Sequence, residues 1–358
     1  MYGLKRFILF KFARLFHQVI KYLDFKSFLI LLLSCALLFN FSNFKKECIS
    51  YFEKNTHRNE PIVFVGGFPR SGTTLMRVML DAHPDIRCGE ETHIIPDILE
   101  TSSTQWLFGD GASDYLINAG ITKDVIDYAT SSFIYEIISR HGKKAQYLCN
   151  KDPFILRNAI YLSKLFPQSK FILMIRDARG CINSILMRKI RISGLITDNI
   201  IQSFRFWNDE VAKMHSECLK VGAARCLPVY YENLVLKPKE EMEKILKFLN
   251  IPWNDAVLNH EKYIGTEVKL NKFERSSDQV IKPIYLEGLY AWKNNKDILN
   301  IIDKLDMIAP VFKSLGYNSR SNWTNYGEAN MKGTEKALNV QTNRQNWFQV
   351  AKKLLFST

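Results

Sequence analysis

Pro61-Ile62-Val63-Phe64-Val65-Gly66-Gly67-Phe68-Pro69-Arg70-Ser71-Gly72-Thr73-Thr74-Leu75-Met76-Arg77 decides the reading of this chain. An apolar run of strand length breaks into a glycine-bearing turn, after which Leu75, Met76, Met79 and Leu80 recur at helical spacing until His83-Pro84. Backbone N–H groups of such a turn bind anions at the head of a helix, so Ser71 to Thr74 form a candidate phosphate cradle. The plainer reading is a strand-to-helix turn whose glycines serve only its tightness. Against G-x-x-x-x-G-K-[ST], Gly67 and Gly72 hold the spacing and Thr74 the final hydroxyl, but Thr73 stands where the lysine belongs.

That lysine, with magnesium, neutralises the triphosphate of a nucleotide hydrolase. A sulfuryl group carries less charge than a phosphoryl group and needs less neutralisation. Arg70, beside the turn, adds a guanidinium able to contact an oxyanion with two N–H groups.

Downstream, strand-like runs at Ile62–Gly66, Phe171–Arg176 and Leu227–Tyr231 are each followed by a helical pattern. Asp177-Ala178-Arg179-Gly180 opens a helix to about Lys189, and Pro238 opens one whose buried stripe is Met242, Ile245, Leu246 and Leu249. The alternation predicts an α/β, P-loop-like three-layer fold with a central, mostly parallel sheet. Beyond Tyr317 the chain turns polar and rich in Asn and Ser, so the core is expected to end there.

Before the cradle, Ser27 to Phe44 carry no charge, and a basic lead with Lys5, Arg6, Lys11, Arg14, Lys21 and Lys26 precedes them. This predicts one N-terminal transmembrane helix that leaves the lead in the cytosol; a cleaved signal peptide or a buried core helix are the other readings. The expected layout is a cytosolic tail at 1–26, a signal anchor at 27–44, a luminal stem at 45–60, a catalytic domain at 61–317 and a polar tail at 318–358. Of 49 Lys and Arg against 36 Asp and Glu, the first 46 residues hold eight and one, which leaves 41 against 35 beyond them. No basic block remains there, which argues against nucleic acid and suits a small polyanion in a cleft. Six cysteines follow the span, in what would be an oxidising lumen, and Cys218 and Cys226 are spaced for a local bridge. Neither a C-x-x-C nor a zinc-spaced histidine pair occurs, so no metal is expected.

Several blocks together resemble the tyrosylprotein sulfotransferases. They are Gly67 to Arg77, Leu80 to Thr92 (ending Cys88-Gly89-Glu90-Glu91-Thr92), Cys149-Asn150-Lys151-Asp152-Pro153, Arg176-Asp177-Ala178-Arg179, Cys226 to Glu232 and Glu274 to Pro283. The resemblance spans roughly Pro61 to Tyr317. It implies sulfuryl transfer from 3′-phosphoadenosine 5′-phosphosulfate (PAPS) to tyrosine in secreted or membrane proteins, by a Golgi type II homodimer. It implies that Arg70, Ser71, Gly72, Thr73 and Thr74 hold the 5′-phosphosulfate and that Arg176 and Ser184 hold the 3′-phosphate, with Arg188 and Tyr231 completing the site. A loop of Ser277, Asp278, Gln279, Val280, Ile281, Lys282, Pro283, Ile284, Tyr285 and Leu286 would close over it.

Glu91 matches the family's general base. On the residues alone Glu90 is an equal candidate, and the resemblance chooses Glu91. Arg70, Lys151 and Ser277 would stabilise developing charge, and Cys88–Cys149 and Cys218–Cys226 would be disulfides. The segment Thr92, His93, Ile94, Ile95, Pro96 and Asp97 would meet the acceptor. Here the chain departs from the family, which places basic residues where this one has His93 and Asp97. Ala291 replaces a lysine before Trp292. Asn322-Trp323-Thr324 is a glycosylation sequon, and Asn40-Phe41-Ser42 matches inside the span. A carbohydrate sulfotransferase and a catalytically weak cargo-binding relative remain the competing readings.

Overall fold

The computed structural model describes residues 57–103, 112–271 and 274–319. The expected cytosolic tail, the expected signal anchor, and most of the expected stem and of the expected polar tail, with Cys48 and the sequon at Asn322, lie outside the described residues. No helix among the described residues is long and apolar enough to cross a membrane.

Five strands form one sheet: β1 (Val63–Gly67), β2 (Ile86–Arg87), β3 (Tyr147–Lys151), β4 (Lys170–Ile175) and β5 (Cys226–Tyr230). Their order is β2-β3-β1-β4-β5, and every adjacent pair is parallel. β1 is buried along its whole length, as expected of a central strand covered on both faces. The chain leaves β1 for β2, returns to β3 on one flank of β1, and crosses to β4 on the other. The C-terminal ends beside β1 are therefore the switch point at which open α/β sheets place their ligands. Gly67 ends β1, Lys151 ends β3, Arg176 follows β4 and Tyr231 follows β5, so these four residues meet at one edge.

The helices up to Leu249 are α1 (Thr73–Asp81), α2 (Ile94–Ser103), α3 (Ala112–Asn118), α4 (Lys123–Arg140), α5 (Ala159–Leu165), α6 (Ala178–Met187), α7 (Ile200–Val221), α8 (Tyr231–Leu236) and α9 (Pro238–Leu249), and short helices follow at Ser277–Val280, Glu287–Tyr290, Lys296–Ile301, Leu305–Ile308 and Pro310–Ser314. All nine residues of α1 are buried, which makes the cradle helix an interior element. In α7, Phe204, Trp207, Val211, Met214 and Cys218 form the buried stripe. In α9 the stripe is Met242, Ile245, Leu246 and Leu249, with Pro238 in the first turn, as the periodicity predicts.

Strands β4 and β5 begin and end one residue before their predicted limits. Arg176 and Tyr231 thereby pass from strand ends into the turns that face the site. The helix after β4 stops at Met187, and Lys189 turns out with φ +51°. Tyr317 is 3% exposed, so the core extends to where the polar tail was expected to begin.

Candidate active site

The cradle is shaped by two close approaches. Gly72 caps α1 with φ +98°, and a Cβ there would lie 2.5 Å from the Tyr231 ring. A Cβ at Gly67 would strike the Met174 carbonyl. Between them Arg70 sits at φ +73°, a conformation that costs a residue with a Cβ about 1–2 kcal/mol. The Ser71 hydroxyl oxygen is buried without a hydrogen-bond partner, and the first N–H groups of α1 have no intrahelical acceptors. This chemistry fits an anion.

Strained backbone aims the Arg70 side chain across the cradle. Nε donates to Ser184 Oγ at 2.9 Å, and the two terminal nitrogens donate to Ser276 Oγ and Gln279 Oε1. Every one of these acceptors is neutral. Burial, then the nearby Arg176 and Arg188, push the guanidinium down to about 10, so it stays charged at neutral pH. Arg176 donates to the carbonyls of Arg70 (2.8 Å) and Gly288 (2.5 Å) and lies 4.2 Å from the Tyr231 ring centre. Arg188 pairs with Asp278 at 3.0 Å. Among the described residues neither Arg70 nor Arg176 donates a hydrogen bond to a carboxylate, which leaves the cleft electropositive.

That cleft encloses about 280 Å³, near the lower end for small-molecule sites. Arg70, Gly72, Thr73, Thr74, Arg176, Ser184, Arg188 and Tyr231 line it, together with Gln279, Val280, Lys282, Pro283, Ile284 and Tyr285. Ser277 does not line it: its hydroxyl donates to the Asn271 carbonyl at 2.7 Å, whereas the neighbouring Ser276 lines the cleft and holds Arg70. Asp278 serves the site through Arg188, and Ile281 and Leu286 stand about half exposed outside it. Asn183, Glu287 and Gly288 also line the cleft and carry no signal for it in the sequence, and Ala291 lines it at the position where the resemblance expects a nucleotide-contacting lysine.

On the other side of the cradle, Lys151 is fully buried at the end of β3. Its ammonium donates to Glu91 Oε1, to Glu274 Oε1 at 3.3 Å and to Thr74 Oγ1 at 3.3 Å. The Thr74 contact joins this ion-pair cluster to the cradle. Glu91 is the carboxylate brought to Lys151, while Glu90 faces His141 at 3.3 Å, so geometry separates two residues that composition leaves equal.

Two buried carboxylates fix the Glu91 turn. Glu274 accepts the N–H of Glu91 at 2.9 Å. Asp152 accepts the N–H groups of Thr92 (3.1 Å) and His93 (2.9 Å) and the Thr92 hydroxyl (2.7 Å). Burial raises the Asp152 carboxyl against those hydrogen bonds. For Glu274 burial pushes up, but Lys151 and Arg77 outweigh it and hold the carboxyl below its usual range.

In the expected acceptor segment, Ile95 is fully buried in the core and Thr92 is held by Asp152, so neither is free to meet an acceptor through its side chain. His93 and Ile94 are exposed, Pro96 is half-buried, and His93 Nε2 lies 3.5 Å from Glu91 Oε2. Asp97 is exposed in the first turn of α2, where a carboxylate complements the helix dipole.

A model of the Sulfotransferase family matches residues 61–255. Protein-tyrosine sulfotransferase A of Caenorhabditis elegans is 46% identical over 295 residues, which cover 82% of this chain and 77% of that protein. The chain belongs to the protein-tyrosine sulfotransferases. Protein-tyrosine sulfotransferase 1 of Homo sapiens is 46% identical over 79% of the chain and 77% of its own length. Protein-tyrosine sulfotransferase 2 of Gallus gallus is 47% identical over 78% of the chain and 75% of its own length. The sulfotransferase domain of a Synechococcus olefin synthase aligns with TM-score 0.48 at 22% identity, over 72% of this chain and 96% of that one.

As in the resemblance, this protein-tyrosine sulfotransferase has Cys88–Cys149 and Cys218–Cys226 disulfides, while Cys181 is a buried free thiol. Cys88 follows β2 and Cys149 lies in β3, so the first bridge ties the turn that bears Glu91 to the strand that bears Lys151.

Proposed function

We propose that this protein-tyrosine sulfotransferase moves the sulfuryl group of PAPS to tyrosine hydroxyls of secreted or membrane proteins with Glu91 as general base. The observation that carries the reading is the chain of contacts Glu91–Lys151–Thr74, which joins a partly exposed carboxylate to the anion cradle. The donor supplies an electrophilic sulfuryl group on a nucleotide leaving group. Ser71, the first N–H groups of α1 and Arg70 fit its 5′ end; Arg176, Ser184 and Arg188 fit the 3′-phosphate.

A tyrosine hydroxyl ordinarily titrates near pH 10, so it is protonated at neutral pH. Glu91, anchored by its backbone and by Lys151 on one oxygen, keeps the other towards the exposed His93 and can take the phenolic proton during attack. Such base catalysis is worth about 10²–10⁴-fold. Lys151 and Arg70, and Ser276 through Arg70, place positive charge and donors where negative charge develops, in surroundings dry enough to strengthen their effect. The proposal places the enzyme as a homodimer on the luminal face of a Golgi membrane, held by the uncharged 27–44 segment.

Incubating the enzyme with radiolabelled PAPS and either a tyrosine peptide or an oligosaccharide, followed by product analysis, tests the reading. Sulfotyrosine is the expected product. Label on sugar alone would support a carbohydrate sulfotransferase, and absence of nucleotide binding would support a cargo-binding relative.

A further inference from the structure

Glu274 has no part in the reaction as described, yet three donors converge on its carboxylate. Oε1 accepts the Glu91 N–H at 2.9 Å and Lys151 Nζ at 3.3 Å, and Oε2 accepts Arg77 at 3.3 Å. The side chain is only 4% exposed. Arg77 is in turn held by Asp81 at 3.2 Å and by the Lys269 carbonyl at 2.6 Å, so Glu274 stands on a fixed support.

The charges around Glu91 are few. Lys151 faces Oε1, and His93 stands 3.5 Å from Oε2. Glu274 meets the backbone N–H, with Arg77 and Asp81 behind it. Asp152 lies behind Thr92 and His93. A buried ammonium shared between two carboxylates stabilises each anion less than one devoted to a single carboxylate. Removing the charge of Glu274 would therefore devote Lys151 to Glu91 and make Glu91 a poorer proton acceptor. It would also leave the Glu91 N–H with a weaker acceptor.

We infer that Glu274 is a positioning residue for sulfuryl transfer: it accepts the Glu91 backbone N–H and shares the Lys151 ammonium with Glu91, which holds that carboxylate in place beside the cradle. The inference rests on the reading of Glu91 as the base. Ser276 and Gln279 in the same stretch of chain hold Arg70 on the donor side, so donor affinity reports separately whether that stretch remains in place.

The test compares wild type, Glu274→Gln, Glu274→Asp and Glu91→Gln by kcat, by KM for a tyrosine peptide, by affinity for 3′-phosphoadenosine 5′-phosphate and by the pH profile of kcat. Glu274→Gln is expected to lower kcat by roughly ten-fold or more and to move the acid limb to lower pH, with nucleotide affinity within about three-fold of wild type. Glu274→Asp restores the charge and returns the acid limb towards its wild-type position. A wild-type kcat and acid limb in Glu274→Gln overturn the inference, as does a loss of activity matched by an equal loss of nucleotide affinity. If the Gln variant does not fold, the Asp variant decides: lowered kcat with a wild-type acid limb supports the role, and a displaced limb refutes it. Wild-type transfer by Glu91→Gln would remove the base reading and this inference with it. An inactive Glu91→Gln beside an unaltered Glu274→Gln would remove this inference alone.

Discussion

Lys151→Met probes the cluster that joins the cradle to Glu91, the proposed base. The side chain is fully buried, and its ammonium meets the Glu91 and Glu274 carboxylates, whose side chains are 14% and 4% exposed. Methionine preserves most of the volume and leaves those carboxylates without their shared cation. Breaking a buried pair in this way costs about 3–5 kcal/mol. For a domain of this size each kcal/mol is worth roughly 2–4 °C, so the melting temperature at pH 7.5 should fall by about 6–20 °C.

The pH dependence follows from Glu274. Its carboxyl is held below the ordinary value of 4.5, so in wild type it contributes stability that is present above that value and is lost as pH falls through the lower, folded-state value. Without Lys151 that contribution shrinks, so the deficit of the variant should narrow chiefly as the pH falls through 4.5 and below. Differential scanning calorimetry of both proteins across this range measures it. A variant that melts within about 2 °C of wild type at pH 7.5, or a deficit that stays as large as the pH is taken well below 4.5, would refute the reasoning.

Replacing both Cys88 and Cys149 by serine opens a loop with a sequence separation of 61, for which chain entropy gives about 4 kcal/mol; calorimetry should show a large loss of stability, and nucleotide affinity should change less than kcat because the bridge ties the Glu91 turn to β3. Asp97 is exposed at the end of the expected acceptor segment, so Asp97→Arg should lower KM for peptides with acidic residues beside the tyrosine and leave neutral ones nearly unchanged; equal effects on both peptide sets would contradict this. Ala291 lines the donor cleft, and Ala291→Lys should tighten 3′-phosphoadenosine 5′-phosphate binding by roughly 3–10-fold in calorimetric titration, which amounts to about 0.7–1.4 kcal/mol.

The sheet was legible where burial is continuous. β1, β4 and β5 read as apolar runs because they are largely covered, but β2 has two residues, too few for any period, and β3 ends in Cys149-Asn150-Lys151, whose polar side chains are buried for use rather than for packing. The cradle could be seen because its glycines answer to local backbone geometry. Glu274 could not, since its role exists only through Arg77, Glu91 and Lys151, each more than 100 residues away in sequence. Ser276 and Ser277 are adjacent and chemically alike. Only the direction of their hydroxyls, one towards Arg70 and the other towards the Asn271 carbonyl, tells them apart. Glu90 and Glu91 pose the same difficulty, resolved by which of them reaches Lys151.

The most direct test of the account is single-turnover transfer from PAPS to a tyrosine peptide by Glu91→Gln, a nearly isosteric change that keeps a polar group beside Lys151. The account predicts sulfotyrosine formation slowed by about 10²–10⁴-fold with 3′-phosphoadenosine 5′-phosphate affinity essentially unchanged. Transfer at the wild-type rate would contradict it.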